Sequence, residues 1–400
     1  MKKEKVDDFI NKIEPYLIII IIASFTGVLG GVLGALFLKT IDIFIDIRGI
    51  WSYVIFLMPI VGIITVYLNK DYKLDKKNTE LISEAIKENK EIPDYTIPTL
   101  FTETTLAHLT GASVGRMEAP IKMGGALGNC VAKFFKLLKR DRGTIIASGV
   151  SALFGSVFGL PITGTIFACE LCFSKENKKP IYIMPVLLAA AFSRFICFAF
   201  RADSFVDRII YVHHASFELK QTFLILMLII ICTLFALIFN KLLTGTKKLF
   251  SNIKNDYIRI IVGSLIMIGA VYALGTELFC GNDPSLLEKA LQNNSMWYIF
   301  IVKAILTALC LGVGFKGGNI GPAFISGASL GILLASLMGL DPLMGAAIGV
   351  VCLFGGVTGC IISSVAIGIE IFGIKSVGFF IIIAIILKYL RDKNYIEKKF

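Results

Sequence analysis

Two glycine-rich stretches stand out because each combines small residues and one basic residue with the start of an apolar run. The first is GASVGRMEAP, residues 111–120, and the second is GVGFKGGNIGP, residues 312–322. A helix that begins after such a stretch presents unpaired N–H groups and about half a positive charge. Glycine lets an ion approach that backbone closely. Two such helix starts that converge would form a binding site for an anion.

The glycines have a second possible use, because small residues also let helices pack closely. Their places in the chain favour the anion site. Alignment of GASVGR with LGVGFK, residues 311–316, puts Arg116 opposite Lys316. A looser match pairs GGALG, residues 124–128, with GASLG, residues 327–331. The two stretches therefore occupy equivalent positions in an internal repeat.

The repeat is clearest further along the chain, where LFGSVFG at 153–159 returns as LFGGVTG at 353–359. Ten of the 24 positions from Ala147 to Glu170 are identical 200 residues later. This predicts two membrane repeats, 16–200 and 201–390, between an N-terminal tail at 1–15 and a C-terminal tail at 391–400. Weak internal symmetry with interrupted helices in corresponding places is typical of transporters. Glu170 and its repeat mate Glu370 are predicted to be structural residues near helix ends.

The composition indicates an integral membrane protein. Apolar residues make up 56% of the 400 residues and charged residues only 17%, against about 45–50% and about 25% in soluble domains. Long apolar segments are predicted at 16–38, 50–68, 181–200, 221–244 and 258–280. The net charge of +11 comes from basic residues in short loops and tails, which is typical of membrane edges and argues against nucleic-acid binding. Residues 69–92 are predicted to form a solvated polar insertion.

Enzymatic motifs are missing from the sequence. It contains no HExxH, no P-loop and no pair of aspartates within its long apolar segments, so an intramembrane enzyme is not expected. The nine cysteines lie in or beside apolar segments without neighbouring histidines. They are predicted to be free thiols, with no disulfide, no metal site and no cofactor. Glu103 and His108 share a threonine-rich segment, and His108 is expected to be a packed polar residue.

With these motifs in place, the chain resembles the CLC family of chloride channels and anion/proton antiporters. The resemblance covers nearly the whole length and rests on Gly111–Arg116, Phe158–Leu171, Gly314–Pro322 and Tyr389. Within the family it is most similar to the fluoride/proton antiporter branch. The resemblance implies an all-α membrane fold of two inverted repeats with broken re-entrant helices. It also implies a multi-pass homodimer in the cell membrane, with both termini in the cytoplasm and one anion pathway per subunit.

The resemblance also implies roles for individual residues. The anion, chloride or fluoride, would be framed by the backbone and side chains of two loops, one inner residue and one tyrosine. Arg116 would frame the outer part of the pathway, and Tyr389 would face the ion with its hydroxyl. Thr96 would take the inner position where chloride-type members carry serine and fluoride-type members methionine. The implied anion-binding residues are Thr96, Gly115, Arg116, Gly317, Gly318, Asn319, Ile320, Gly321 and Tyr389.

The gate admits two interpretations. Family antiporters place a glutamate directly after the Gly-Arg pair, but here Met117 follows Arg116 and Glu118 comes one residue later. An ungapped reading puts Met117 at the gate, whereas a one-residue shift makes Glu118 the gate and proton carrier. Because a helix turns about 100° per residue, that shift could point the carboxylate away from the pathway. An ionisable residue in an apolar segment is nevertheless usually functional.

Two further departures from the family pattern bear on proton coupling. Asn319 stands where the fluoride branch has an acid after the two glycines, and Leu171 stands at the inner proton glutamate of chloride/proton antiporters. An amide can bind an anion but cannot carry a proton. These departures weaken the case for strict proton coupling, but the resemblance still implies proton-coupled antiport of chloride or fluoride. A passive channel without a titratable gate is the alternative, and a non-transporting scaffold or sensor is a minor one.

Overall fold

The protein is described by a computed structural model, and the description covers most of the chain. The described residues are 2–72, 80–87, 90–137, 139–172, 182–204, 206–208, 219–281, 286, 289 and 297–396. Parts of the predicted polar insertion (73–79 and 88–89) and of the C-terminal tail (397–400) therefore lie outside them. The predicted all-α architecture is confirmed.

The helices of the first 250 residues range in length from 8 to 49 residues. They are α1 (Lys2–Ile50), α2 (Met58–Tyr72), α3 (Glu80–Lys87), α4 (Thr96–Leu109), α5 (Glu118–Phe134), α6 (Lys139–Phe158), α7 (Pro161–Cys172), α8 (Ile183–Ala199) and α9 (Leu219–Phe250), with 3-10 turns at Ser52–Leu57 and Val206–Arg208.

The second part of the chain continues in the same manner. Its helices are α10 (Asp256–Leu274), α11 (Ile299–Val313), α12 (Ile320–Leu337), α13 (Pro342–Thr358), α14 (Ile361–Phe372) and α15 (Val377–Asp392), with a 3-10 turn at Ile374–Ser376 before α15.

Five segments of the described chain are long and apolar enough to cross a membrane. They are Tyr16–Ile50, Ser52–Asn69, Gln221–Phe250, Asp256–Leu274 and Ile320–Leu337. Four of them coincide with apolar runs predicted from the sequence, and the fifth predicted run, 181–200, forms the shorter apolar helix α8. Other helices are too short to span alone. The 14 residues of α4 extend about 21 Å at 1.5 Å per residue, against a hydrocarbon core of about 30 Å.

The predicted breaks in the helices are present. Residues 110–117 separate α4 from α5, and residues 314–319 separate α11 from α12. Each break contains a glycine at positive φ, Gly111 at 82° and Gly314 at 117°, a conformation that side chains with a Cβ rarely adopt. Interrupted backbone at membrane depth is tolerated only where protein or a water-filled cavity surrounds it.

Residue contacts divide the chain into two compact units. The first comprises Met1–Leu38, Asn78–Ile97 and Pro120–Ser204, and the second comprises Lys39–Lys77, Pro98–Ala119 and Phe205–Phe400. These units differ from the two sequence repeats, because two segments of the first half belong to the second unit. One of these two segments, Pro98–Ala119, contains the first glycine-rich stretch up to Ala119.

In the first unit, α6 packs against α7 and α8. The rings of Phe154 and Phe158 stack with their centroids 3.8 Å apart, and Phe167 lies beside them. The polar insertion contributes α3, whose Ile82, Ala85 and Ile86 are buried. The described part of the insertion is therefore an amphipathic helix with one packed face, rather than a helix solvated all round.

In the second unit, α11 packs between α9 and α12, and α12 packs closely against α13. The main chains of α12 and α13 approach each other closely at their glycines. A Cβ on Gly327 or Gly331 would collide with the main chain of Gly349 or Gly345.

The first unit contains the matching contact. There a Cβ on Gly124 would collide with the main chain of Gly149, and one on Gly128 would collide with that of Ile145. The loose match of GGALG to GASLG thus corresponds to the same helix-to-helix contact in both repeats.

Candidate functional site

The two glycine-rich stretches meet in the second unit. The N–H of Gly115 donates to the carbonyl of Gly318, and the N–H of Gly318 donates to the carbonyl of Gly115, both over 2.7 Å. The two residues form an isolated antiparallel bridge. The sequence predicted that these stretches converge, and the structure brings them into direct contact.

Only glycine fits at this junction. A Cβ on Gly115 would come within 2.6 Å of the Pro322 Cδ, and a Cβ on Gly318 would come within 2.6 Å of the Glu118 Cβ. A Cβ on Gly317 would lie 2.5 Å from the Val114 Cβ. Distances below 3.0 Å are not found for real Cβ atoms. The glycines therefore allow two backbones to touch, and the packing role and the anion-site role coexist here.

Two helices begin at this junction. Glu118 is the first residue of α5 and Ile320 is the first residue of α12. Because Gly318 contacts Glu118, the two helix starts lie next to each other. Each start carries unpaired N–H groups and the positive end of a helix dipole. Together they provide a positive environment without placing a full charge at the centre.

The two gate candidates differ in burial. Met117 is completely buried, whereas Glu118 is partly exposed and forms the first turn of α5. The base of the Glu118 side chain lies against Gly318, on the bridge itself. Glu118 is therefore the titratable residue positioned at the junction, and Met117 is packed in the protein.

Arg116 is almost entirely buried and makes an ion pair. Its exposed fraction is 1%, and its Nη1 lies 3.4 Å from Oδ1 of Asp42, which is about a third exposed. The guanidinium follows Gly115 directly, so a fixed positive charge adjoins the bridge. Asp42 offsets part of that charge from the outside.

Asn319 and its neighbours form the second side of the junction. Asn319 precedes α12 and is buried, and its side chain does not cap the helix. Its Oδ1 has no hydrogen-bond partner among the described residues. Gly321 and Ile320 are buried as well, so this side presents mainly backbone.

Thr96 belongs to the first unit and begins α4. It is buried, its N–H donates to the Pro93 carbonyl over 3.0 Å, and its hydroxyl has no partner among the described residues. A buried hydroxyl without a protein partner is available to donate to a bound anion.

Tyr389 does not lie in an enclosed position. Its side chain is 62% exposed on α15. This exposure does not support the predicted ion-facing role, which stays a prediction. A second tyrosine follows after the helix ends. Tyr395 is 67% exposed, and its N–H donates to the Leu390 carbonyl.

Two buried cations escaped the sequence interpretation. Arg48, 5% exposed, donates from Nη1 to the His108 carbonyl and lies 3.6 Å from Glu277. Lys303 is fully buried in α11. The signal for Lys303 was a single basic residue within an otherwise apolar run, whereas Arg48 follows Asp42 and Asp46 in its segment. Like Arg116, both are in the second unit, which thus contains three buried cationic side chains near the first glycine-rich stretch.

Glu103 and His108 are both buried. Asn69 donates to Glu103 over 2.6 Å. The His108 Nδ1 lies 2.8 Å from the Thr104 carbonyl, as a packed polar residue would. Among the described residues, no group of three or more histidine, cysteine or acidic side chains is arranged to hold a metal ion.

Comparison with known proteins places this geometry in a family. The family model described as "Voltage gated chloride channel" matches residues 61–391. A chloride/fluoride channel protein of Pseudomonas syringae pv. tomato is 30% identical over 88% of this chain and 79% of its own. The H(+)/Cl(-) exchange transporter ClcA of Vibrio parahaemolyticus is 24% identical over 92% of this chain and 85% of its own.

Solved structures agree with these sequence relatives. The crystal structure of a CLC-type fluoride/proton antiporter superimposes with a TM-score of 0.86 at 26% identity and covers 95% of this chain and 96% of its own. A slow cyanobacterial Cl-/H+ antiporter matches with a TM-score of 0.79 at 17% identity, over 94% of this chain and 98% of its own. The latter similarity concerns the fold alone.

Proposed function

The chain belongs to the voltage-gated chloride channel (CLC) family of anion transport proteins, and we propose that it exchanges fluoride or chloride for protons across the cell membrane. Its relatives include a chloride/fluoride channel protein and an H(+)/Cl(-) exchange transporter. The similar structure with the higher TM-score is a fluoride/proton antiporter. Five helices long and apolar enough to span support the membrane location.

The observation that carries this proposal is the bridge between Gly115 and Gly318, with Glu118 seated on it. The bridge joins two helix starts whose N–H groups favour a small anion. Such a site binds mainly through dipoles and hydrogen bonds. The buried guanidinium of Arg116 adds one fixed positive charge beside the site, and Asp42 offsets part of that charge.

Glu118 is proposed as the proton carrier. A carboxylate and an anion repel each other, so a deprotonated Glu118 occupies the place of the anion at the helix starts. Protonation removes that competition and frees the site. Alternation between the two states couples one proton to anion movement.

A passive channel is the second candidate, and a specific observation favours it. Met117 follows Arg116 directly, and Asn319 stands where the fluoride branch has an acid. Neither residue can carry a proton. If Glu118 remained charged and displaced throughout, anions would move down their gradient without proton exchange.

We propose further anion contacts at Thr96, at Asn319 and at the backbone of Gly317, Gly318, Ile320 and Gly321. Their support is the buried hydroxyl of Thr96, which has no partner among the described residues, and the side-chain amide of Asn319, whose N–H groups could donate to an anion. Family resemblance adds a homodimer with one pathway in each subunit.

The test is efflux from liposomes that contain the purified protein, with fluoride and chloride electrodes and a pH electrode in the bath. Anion loss with opposing proton uptake supports antiport. The E118Q variant should then retain anion flux and lose proton movement. Wild-type flux without proton movement would establish the channel, and the absence of flux for both anions would contradict the proposal. M117L, which keeps an apolar side chain of similar size, is the matched control.

A further inference from the structure

One helix, α11, contacts both glycine-rich stretches. The chain leaves α11 at Val313 and enters the second stretch through Gly314. One face of the same helix, formed by Lys303, Thr307 and Cys310, contacts Ser113 of the first stretch. These positions are spaced four and three apart, so their side chains lie on one side of the helix.

Ser113 is held at three points by that face. Lys303 Nζ donates to the Ser113 Oγ over 2.9 Å. The Thr307 hydroxyl lies 3.4 Å from the same oxygen, and the Ser113 N–H donates to the Cys310 sulfur over 3.3 Å. Ser113 is two residues before Gly115, the residue that forms the bridge. Any movement of this serine is therefore transmitted to the anion site.

The ammonium group of Lys303 has two further acceptors in another loop. It donates to the carbonyl of Phe279 over 3.0 Å and to that of Gly281. Gly281 in turn donates its N–H to the carbonyl of Ala112 over 3.1 Å. Lys303 thus joins three segments, α11, the loop after α10 and the first glycine-rich stretch, by one charged group.

A fully buried ammonium is an expensive choice for a structural link. A charged side chain within a membrane segment costs several kcal/mol or more, and such residues are usually functional. The three N–H groups of Lys303 serve the oxygens of Ser113, Phe279 and Gly281, which a hydroxyl with one donor or an amide with two could not all satisfy. The ammonium also adds positive charge in surroundings of low dielectric constant, where a charge acts over a longer range than in water.

We propose that Lys303 is a positioning residue for anion binding: it fixes Ser113 and, through it, the Gly115 side of the bridge, and its charge increases the affinity of the site for the anion. The inference rests on the proposed transport function and names the residue that sets the affinity of the site. Lys303 is placed behind the loop and does not itself contact the ion.

The test compares K303M, which keeps the length and removes the charge, with K303R, which keeps the charge and the donors. Fluoride and chloride are titrated into each purified variant by calorimetry, and the KM and the maximal rate of efflux are measured in liposomes. We expect about a tenfold weaker affinity and a correspondingly higher KM for K303M. K303R should restore both to within about threefold of wild type, because arginine keeps the positive charge together with N–H donors for the same oxygens.

The matched control is T246V. Thr246 donates to the Ala308 carbonyl of α11 over 2.8 Å, so its loss disturbs the same helix without altering its charge. T246V should leave the KM unchanged. Equal KM shifts in T246V and K303M, or an unchanged affinity in folded K303M, would overturn the inference.

If K303M fails to fold, S113A decides the question, because it removes the hydroxyl through which Lys303 and Thr307 hold the loop and leaves the charge of Lys303 in place. A raised KM in S113A supports the inference, and an unchanged KM refutes it. The failure of the proposed function is a separate result, since wild-type protein would then bind or move neither anion.

Discussion

Gly318 lies directly against Glu118: a Cβ on Gly318 would come within 2.6 Å of the Glu118 Cβ and 2.8 Å of its main-chain nitrogen. The proposed gate is therefore built on the backbone of the opposite repeat. The position of the carboxylate depends on the absence of one methyl group.

G318A should therefore displace Glu118 and disturb the bridge. We expect anion efflux to fall by about tenfold or more, with a loss of stability of about 1–3 kcal/mol from overpacking. Efflux from liposomes and thermal unfolding in detergent measure the two effects. The control is G269A, because a Cβ on Gly269 would meet no atom within 4 Å. Normal efflux in G318A would show that the close contact at Glu118 is unimportant.

Removal of the negative charge of Asp42, beside Arg116, should raise the affinity of the site for the anion. D42N keeps the size of the side chain but removes the negative charge 3.4 Å from the guanidinium. Because Asp42 is partly exposed, solvent reduces the effect, and we expect anion affinity to rise by about two- to fivefold. Calorimetric titration with fluoride and chloride provides the measurement. Weaker binding in D42N would mean that Asp42 orients Arg116 more than it offsets its charge.

Thr96 separates binding from stability. Its hydroxyl is buried and has no partner in the described part of the chain, so T96V loses no protein hydrogen bond. Stability should stay the same or rise by about 1 kcal/mol, since a buried unsatisfied hydroxyl is unfavourable. If this hydroxyl binds the anion, affinity should fall by about three- to tenfold. T105V is the comparison, because the Thr105 hydroxyl already donates to the Phe101 carbonyl. Unchanged affinity in T96V would remove Thr96 from the site.

The glycine contact between α12 and α13 should govern stability. G349A introduces a Cβ that collides with the Gly327 carbonyl, and we expect a loss of about 2–3 kcal/mol. G149A, at the equivalent contact in the first unit, should cost a similar amount. Thermal unfolding of both variants beside G378A, whose added Cβ meets nothing within 4 Å, tests this. Tolerance of either substitution would show that the helices can separate without cost.

Much of the fold was readable from the sequence because its signals are local. The apolar runs predicted the long helices, and the glycine breaks at 110–117 and 314–319 marked where helices are interrupted. The repeat between Ala147–Glu170 and its copy anticipated that both glycine stretches would occupy equivalent places. The weak match of GGALG to GASLG corresponds to the same glycine contact between two helices, present once in each repeat.

The remaining features depend on contacts between residues distant in sequence. The unit boundaries could not be predicted, because segments 39–77 and 98–119 leave their own half to pack in the other unit. Lys303 looked like an isolated charge in an apolar run, and its partner Ser113 lies 190 residues earlier. Tyr389 could be placed on a helix by pattern, but its exposure depends on neighbours that no local motif specifies.

The reciprocal bonds of Gly115 and Gly318 have a consequence for how the pathway opens. Both N–H groups and both carbonyls are engaged, so neither loop can move alone without breaking two hydrogen bonds at once. The two loops are therefore coupled and would have to move together. A change of side-chain rotamer at Glu118 would break neither bond, so the proposed gate can change state while the bridge stays intact.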